Sequence, residues 1–425
     1  MSPRARQGDG ARYKEKSSGL WAVAIELPPV RWNADGKPAR NRKVQRFKSR
    51  AEADKALREL REQKRQMGTL PTVGQTVEGW FTKWLNVHVI PNERPRTADT
   101  YRMYVTAYII PALGASTRLA KLTPDSIRNI EAFITARGLS RSTARNAYHY
   151  AAHALDDAMR DGLLLSNPAR RVEAPRRRKP DLDVFTVDDA IKLLNHLTLE
   201  EGGALWAAYL LTGARRGEIA GLEFDRVGDH LDLSWQLQRL VYVHGCGGTC
   251  GRKRAGNCPD RRMDMPEDYE ARQVSGGLYL TRPKSQAGWR IIPLVEPLRT
   301  ILFRHMAVAV ENPWGLLFAG LHGRYGTVIP PDPDRFTNDW PRLRDEVFGP
   351  GRRVRLHDVR HTTVDLLYAA NVPEDVISSI VGHSNRSMTR AYKSRTDLAR
   401  LQDAMNRLSG LVTPQAIERK PETAG

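Results

Sequence analysis

RLHDVRHTTVDLLYAANVPEDVISSIVGHSNRSMTRAY, residues 355–392, is the stretch on which the reading of the chain turns. His357 and Arg360 stand three residues apart where a helix begins, so both project from one face. Pro373 opens a second helix with Val376, Ile377, Ile380 and Val381 on its apolar side, and Gly382 ends it. His383 follows that stop, nine residues before Tyr392. Cationic donors therefore gather near one phenol. The set suits attack on a phosphodiester, whose transition state gathers negative charge on non-bridging oxygens that fixed Arg and His donors can neutralise. A tyrosine oxygen can then act as covalent nucleophile, dividing one hard step into two. Taken singly, an HxxR pair is ordinarily a solvated helix face, and a tyrosine near a terminus is ordinarily core or surface.

Two further motifs lie upstream: Leu211-Thr212-Gly213-Ala214-Arg215-Arg216-Gly217-Glu218-Ile219, and Thr281-Arg282-Pro283-Lys284-Ser285-Gln286-Ala287-Gly288-Trp289-Arg290. The order Arg, Lys, HxxR, GH, Tyr resembles the tyrosine recombinases, the phage-integrase family, over roughly residues 180 to 400. The resemblance implies a mainly α fold with small β elements (α+β): a β-rich arm-binding domain, a helical, SAM-like core-binding domain and a catalytic domain. It also implies a site-specific DNA recombinase that works through a 3′-phosphotyrosyl bond and a four-way Holliday junction. The partners implied are double-stranded DNA at core and arm-type sites, a homotetramer on that DNA, and an excision or host DNA-bending factor. Two other activities fit the same scaffold: non-catalytic sequence-specific DNA binding, and DNA relaxation by type IB-like phosphotyrosine chemistry.

On that resemblance, Arg215 matches the first catalytic arginine, with Arg216 as its rival. A guanidinium there forks onto phosphate oxygens in a way lysine cannot copy. Glu218, three residues on, shares its helical face and would orient Arg215 or a nearby histidine; a surface ion pair of little value is the plainer alternative. Lys284 matches the lysine that protonates the leaving 5′ oxygen, with Arg282 and Arg290 as alternatives. His357, Arg360 and His383 supply further donors, His361 is structural, and Tyr392 is the nucleophile. Phosphodiester energy is kept in the protein–DNA bond, so catalysis requires neither ATP nor a divalent metal.

With 425 residues the chain exceeds what one hydrophobic core serves, so two or three domains are expected. Its formal charge of +19 points to a polyanionic partner, and nucleic acid fits better than a membrane because no amphipathic anchor stands out. The basic N-terminus lacks a following apolar run, and no eighteen apolar residues occur together. The expected setting is cytoplasmic, associated with the nucleoid.

Residues 1–70 carry 18 Lys and Arg against 8 Asp and Glu, a net +10. Leu20–Leu27 and Lys43–Phe47 read as strands, and Ser49 as the cap of a helix from Arg50 to Met67. This basic module resembles the arm-type DNA-binding domain at the front of many phage integrases; an idle hairpin appendage is the alternative. Residues 72–168 read as a helical domain, with Val77, Trp80, Phe81, Trp84 and Leu85 recurring at helical spacing as core, and the resemblance implies that it is the core-binding domain. Residues 169–182, rich in arginine between prolines, read as a basic linker. The catalytic domain spans 183–410, with Thr186 capping its first helix. In it Leu231, Leu233, Trp235 and Leu237 alternate as one strand, Leu278–Thr281 and Trp289–Leu294 form a hairpin with Lys284 at its tip, and the remainder is helical to Leu408. Residues 411–425 are expected to be a disordered tail.

An insertion, 244–262, interrupts this domain with His244, Cys246, Cys250 and Cys258. Three cysteines in thirteen residues do not make a secreted disulfide framework. Three thiols and an imidazole can complete a tetrahedral structural zinc site; a loop with free thiols is the alternative.

Overall fold

The computed structural model describes residues 10–27, 41–67, 75–176, 183–283, 289–322, 326–382 and 395–412. The chain divides into two compact units, Met1–Lys179 and Pro180–Gly425. It is mainly helical with small antiparallel sheets. Among the described residues no helix is long and apolar enough to cross a membrane.

The first unit opens with three antiparallel strands, Ala11–Lys14, Trp21–Leu27 and Asn41–Phe47, in sequence order, the first of which the sequence pattern did not reveal. Ser49 and Glu52 exchange side chain for backbone N–H in a capping box that starts the helix Arg50–Met67. That helix buries Ala53, Leu57 and Leu60 against Val23 and Ile25. From Val77 onward the packing is helical, and Trp80, Phe81 and Trp84 lie fully buried in one core with Ile109, Ile130 and Leu155. Trp80 Nε1 donates to Ala154 O at 3.0 Å, which satisfies its polar edge inside that core.

The segment expected to begin a linker is instead packed on this bundle. Ala169 is fully buried, the Tyr148 hydroxyl donates to Ala169 O and Val172 O at 2.9 and 2.8 Å, and Arg145 holds Pro175 O at 2.9 Å. Asn167 caps the short 3-10 turn Pro168–Arg171, and Arg170 is drawn onto Asp156. Charge composition suggested a free segment; the apolar and polar anchors between the arginines hold it down.

In the second unit one core joins the helices Val187–Leu197, Gly203–Thr212, Leu298–Val308, Pro333–Phe348, Leu356–Ala369, Glu374–Val381 and Arg395–Val412. Thr186 starts the first of them in a capping box with Asp189. The expected strand 231–237 is two strands in different sheets. Asp232 Oδ1 accepts from Ser234 N at 2.8 Å and turns the chain between them. His230–Asp232 pairs with Ile291–Pro293, whereas Gln236–Arg239 pairs with Leu278–Thr281. The expected hairpin from Leu278 to Leu294 therefore does not form: the turn partner of Leu278–Thr281 is Ala271–Ser275. A further hairpin, Gly320–His322 with Thr327–Ile329, lies in a stretch expected to be helical.

Candidate active site

The buried helix Gly203–Thr212 ends at Gly213, with a left-handed φ of 56°. A Cβ there would meet Val381 Cγ1 at 3.0 Å and Thr363 Cβ at 3.2 Å, so both the turn and the packing above it demand glycine. Two bonds tie the helix Leu356–Ala369 to this corner: Arg360 Nη1 donates to Gly213 O at 2.6 Å, and Thr363 Oγ1 to Leu210 O at 2.8 Å. The motifs around 213 and 360 thus meet because a helix end needs donors and the second helix supplies them.

Two residues beyond Gly213, Arg215 caps the short helix Arg216–Ala220. Its backbone N–H donates to Glu218 Oε2 at 2.7 Å and its guanidinium to Oε1 at 2.8 Å. Arg290 Nη2 reaches the same Oε2 at 2.8 Å. Both arginines also hold the last turn of the helix Glu374–Val381: Arg290 Nε donates to Ile380 O at 2.7 Å and Arg215 Nη2 to Gly382 O at 3.1 Å. Cations at a helix C-terminus are favourable on dipole grounds as well.

The electrostatics of this corner are lopsided. Burial would raise the Glu218 carboxyl, but Arg290 and then Arg215 outweigh it and hold the group below the usual carboxylate range. Burial pushes Arg360 down to about 9, Arg290 and Arg215 add to the fall, and Glu218 opposes it. Arg290, only 6% exposed, has a buried Nη1 with no hydrogen-bond partner among the described residues. One carboxylate faces three guanidiniums, and the residual positive charge favours an incoming anion.

His357 lies on the first turn of the helix that carries Arg360, its ring 5.6 Å from that of His361. Partial burial, then His361 and Arg360, lower its pKa, which keeps the imidazole neutral at pH 7. Arg216 turns away, to Asp334 at 2.9 Å and Thr337 at 2.7 Å. Arg282 packs over Trp235 and Trp289, 4.0 and 4.6 Å from the ring centroids, and bonds Glu270, so it lies outside the Glu218 cluster. Lys284, His383 and Tyr392 lie outside the described residues.

Arg290, expected only as an alternative to Lys284, is a buried member of the cluster. Its signal was the alternation Arg290, Ile292, Leu294, which puts the guanidinium on the same inward face as two core residues. In the insertion, the ligand atoms of His244, Cys246, Cys250 and Cys258 all lie within 4.8 Å of one another. Hydrogen bonds from the Cys250 backbone, then its side chain, hold the Cys246 thiol down to about 5.

An integrase of Saccharopolyspora erythraea is 26% identical over 411 residues, which cover 88% of this chain and 91% of that protein. The chain is thus similar along most of its length to a protein named integrase. A second such relative, an integrase of Streptomyces ambofaciens, is 24% identical over 407 residues, 92% of each chain. Among solved structures, a variant of the Tn1549 transposon integrase in complex with a circular intermediate DNA shares the fold, with a TM-score of 0.56 and 18% identity over 78% of this chain and 99% of that one. No family model matches the chain.

Proposed function

We propose that the protein is a site-specific DNA recombinase that breaks and rejoins strands through Tyr392. The observation that carries this reading is the positive excess around Glu218. Arg215, Arg290 and Arg360 are fixed before any ligand arrives, so they can meet the charge that develops on a scissile phosphate without reorganising. Relatives named integrase, and an integrase of the same fold in complex with DNA, support duplex DNA as the polyanion.

In this mechanism the Tyr392 oxygen attacks phosphorus, forming a 3′-phosphotyrosyl bond as the bond to the 5′ oxygen breaks. Arg215 and Arg360 hold the non-bridging oxygens. Neutral His357 can bond the phosphate or take the phenol proton, a role His383 would share. Lys284 protonates the departing 5′ oxygen. The hydroxyl of a partner duplex then attacks the phosphotyrosine and returns the phenol, so the phosphodiester energy is conserved and ATP is not consumed. Two such exchanges in a homotetramer would pass through a Holliday junction, with a bending or excision factor setting direction. Residues 1–70 would hold arm-type sites, and residues 72–168 the core site.

A nicked suicide duplex tests the reading. Wild type is expected to trap a covalent protein–DNA complex, and Tyr392→Phe to bind the same duplex without trapping it. Covalent trapping that survives Tyr392→Phe would refute the assignment, and relaxation of supercoils without exchange between two sites would replace recombination by relaxation.

A further inference from the structure

We propose that the insertion between the strands Tyr242–His244 and Arg261–Met263 is folded around a tetrahedral zinc ion held by His244 Nδ1 and the thiolates of Cys246, Cys250 and Cys258. The four donors come from separate pieces of backbone: a strand end, the two sides of the turn 246–250, and the residue following the 3-10 turn Ala255–Asn257. They nevertheless converge within 4.8 Å. With Zn–S about 2.3 Å and Zn–N about 2.0 Å, a tetrahedral sulfur–nitrogen edge is about 3.5 Å. His244 Nδ1 lies 3.4 Å from Cys250 Sγ and 3.9 Å from Cys246 Sγ, on either side of that edge.

Packing supplies the independent argument. Cys258 is fully buried, yet it belongs to none of the hydrophobic clusters among the described residues. Around it the insertion is glycine, basic and polar, with Gly247, Gly248 and Gly251 all at left-handed φ. A loop of this length with no apolar core needs a staple to hold one shape. A disulfide can use only two of the three thiols, leaving the third and the imidazole unexplained, whereas a three-thiolate, one-imidazole set is complete for zinc and softer than magnesium or calcium accept. The order the metal imposes also fixes Arg252, Lys253 and Arg254, consecutive and exposed at the tip. On the recombinase reading, that tip meets DNA phosphate.

The test uses the full chain. Purified protein, dialysed against metal-free buffer, is expected to retain one zinc per chain by elemental analysis, and Cys250→Ser and Cys258→Ser are expected to lose it. Because loss of the fold would give the same result in those variants, the wild type carries a second measurement. All three thiols should resist a thiol reagent until a strong chelator is added, then react as zinc is released, and cobalt(II) should restore protection with thiolate–cobalt absorption. Folded, zinc-free wild type with immediately reactive thiols, or one thiol titrating under denaturing conditions because two are disulfide-bonded, would overturn the site. The tip is examined separately with Arg252→Ala/Lys253→Ala/Arg254→Ala. That variant should keep its zinc while the log–log salt slope of DNA binding flattens by up to about 2.7. An unchanged slope removes the tip from the DNA interface and leaves the metal standing. Zinc retained without any covalent complex on the suicide duplex strikes the recombinase reading alone.

Discussion

Asp157 in the first unit and Glu218 in the second are both buried carboxylates, and they are neutralised in different ways. In the helical bundle, Asp157 accepts from Trp84 Nε1 at 2.7 Å and pairs with Arg160, with His153 Nε2 3.6 Å away. Its neighbour Asp156 is matched to Arg170 and Asn167. There the charges close on themselves, and the result is scaffold. Glu218 instead sits beneath Arg215, Arg290 and Arg360, with an Arg290 N–H left over. Burying cations beyond what one carboxylate can balance costs stability, so the excess makes physical sense where an outside anion completes the count.

The sharpest way to break this contrast is Glu218→Gln. Removing the charge leaves buried Arg290 uncompensated, so unfolding in urea should show a loss of about 3–5 kcal/mol. The pH dependence fixes the cause. Since the folded carboxyl titrates below its unfolded value of 4.5, its contribution is complete above that value and fades as pH falls through the lower folded one. Glu218→Gln should therefore flatten the acid limb of the stability curve as well as lower its plateau. An unchanged plateau would mean that the arginines are held by the carbonyls of Ile380 and Gly382 and that the carboxylate is incidental.

Next in size is the effect on chemistry. Arg360→Ala should lower single-turnover cleavage of the suicide duplex by roughly 100- to 1000-fold, the scale of losing one preorganised donor to a developing charge. Overall DNA affinity should change little, because many phosphates share it. Cleavage within a few-fold of wild type would place the scissile phosphate elsewhere. The same excess should show without DNA: sulfate should raise the melting temperature, a gain of at most about 2.7 kcal/mol at 100 times its dissociation constant. Arg290→Met should lose most of that gain.

How much of this was legible in sequence follows the range of the interactions. Capping by Ser49 and Thr186, the stop at Gly382 and the core spacing of Trp80, Phe81 and Trp84 are local signals, and each element stands where the spacing put it. The likeness to the tyrosine recombinases rested on residue order and needed no pairing at all. Strand partners were illegible because they are set across distance. Nothing within Leu278–Leu294 tells that one strand pairs back to Ala271–Ser275 and the other to His230–Asp232. Arg290 was misjudged for the same reason: its partner Glu218 lies 72 positions away. The anchoring of Pro168–Arg176 escaped notice because its arginines dominate the composition while Tyr148 and Arg145 do the holding.

The smallest effect belongs to the closed carboxylate. Asp157→Asn keeps the shape and an acceptor for the Trp84 N–H but drops the charge facing Arg160, whose own side chain is largely exposed. An exposed guanidinium recovers its hydration at little cost, so the loss in urea should be about 1.5–3 kcal/mol, the scale of one hydrogen bond to a charged group. Sulfate should raise the melting temperature of this variant as much as that of wild type, because among the described residues the bundle buries no Arg or Lys that could await an anion. If Asp157→Asn instead acquired a stronger sulfate response, its arginines would also be waiting for an anion, and charge balance could not be used to tell scaffold from site in this chain.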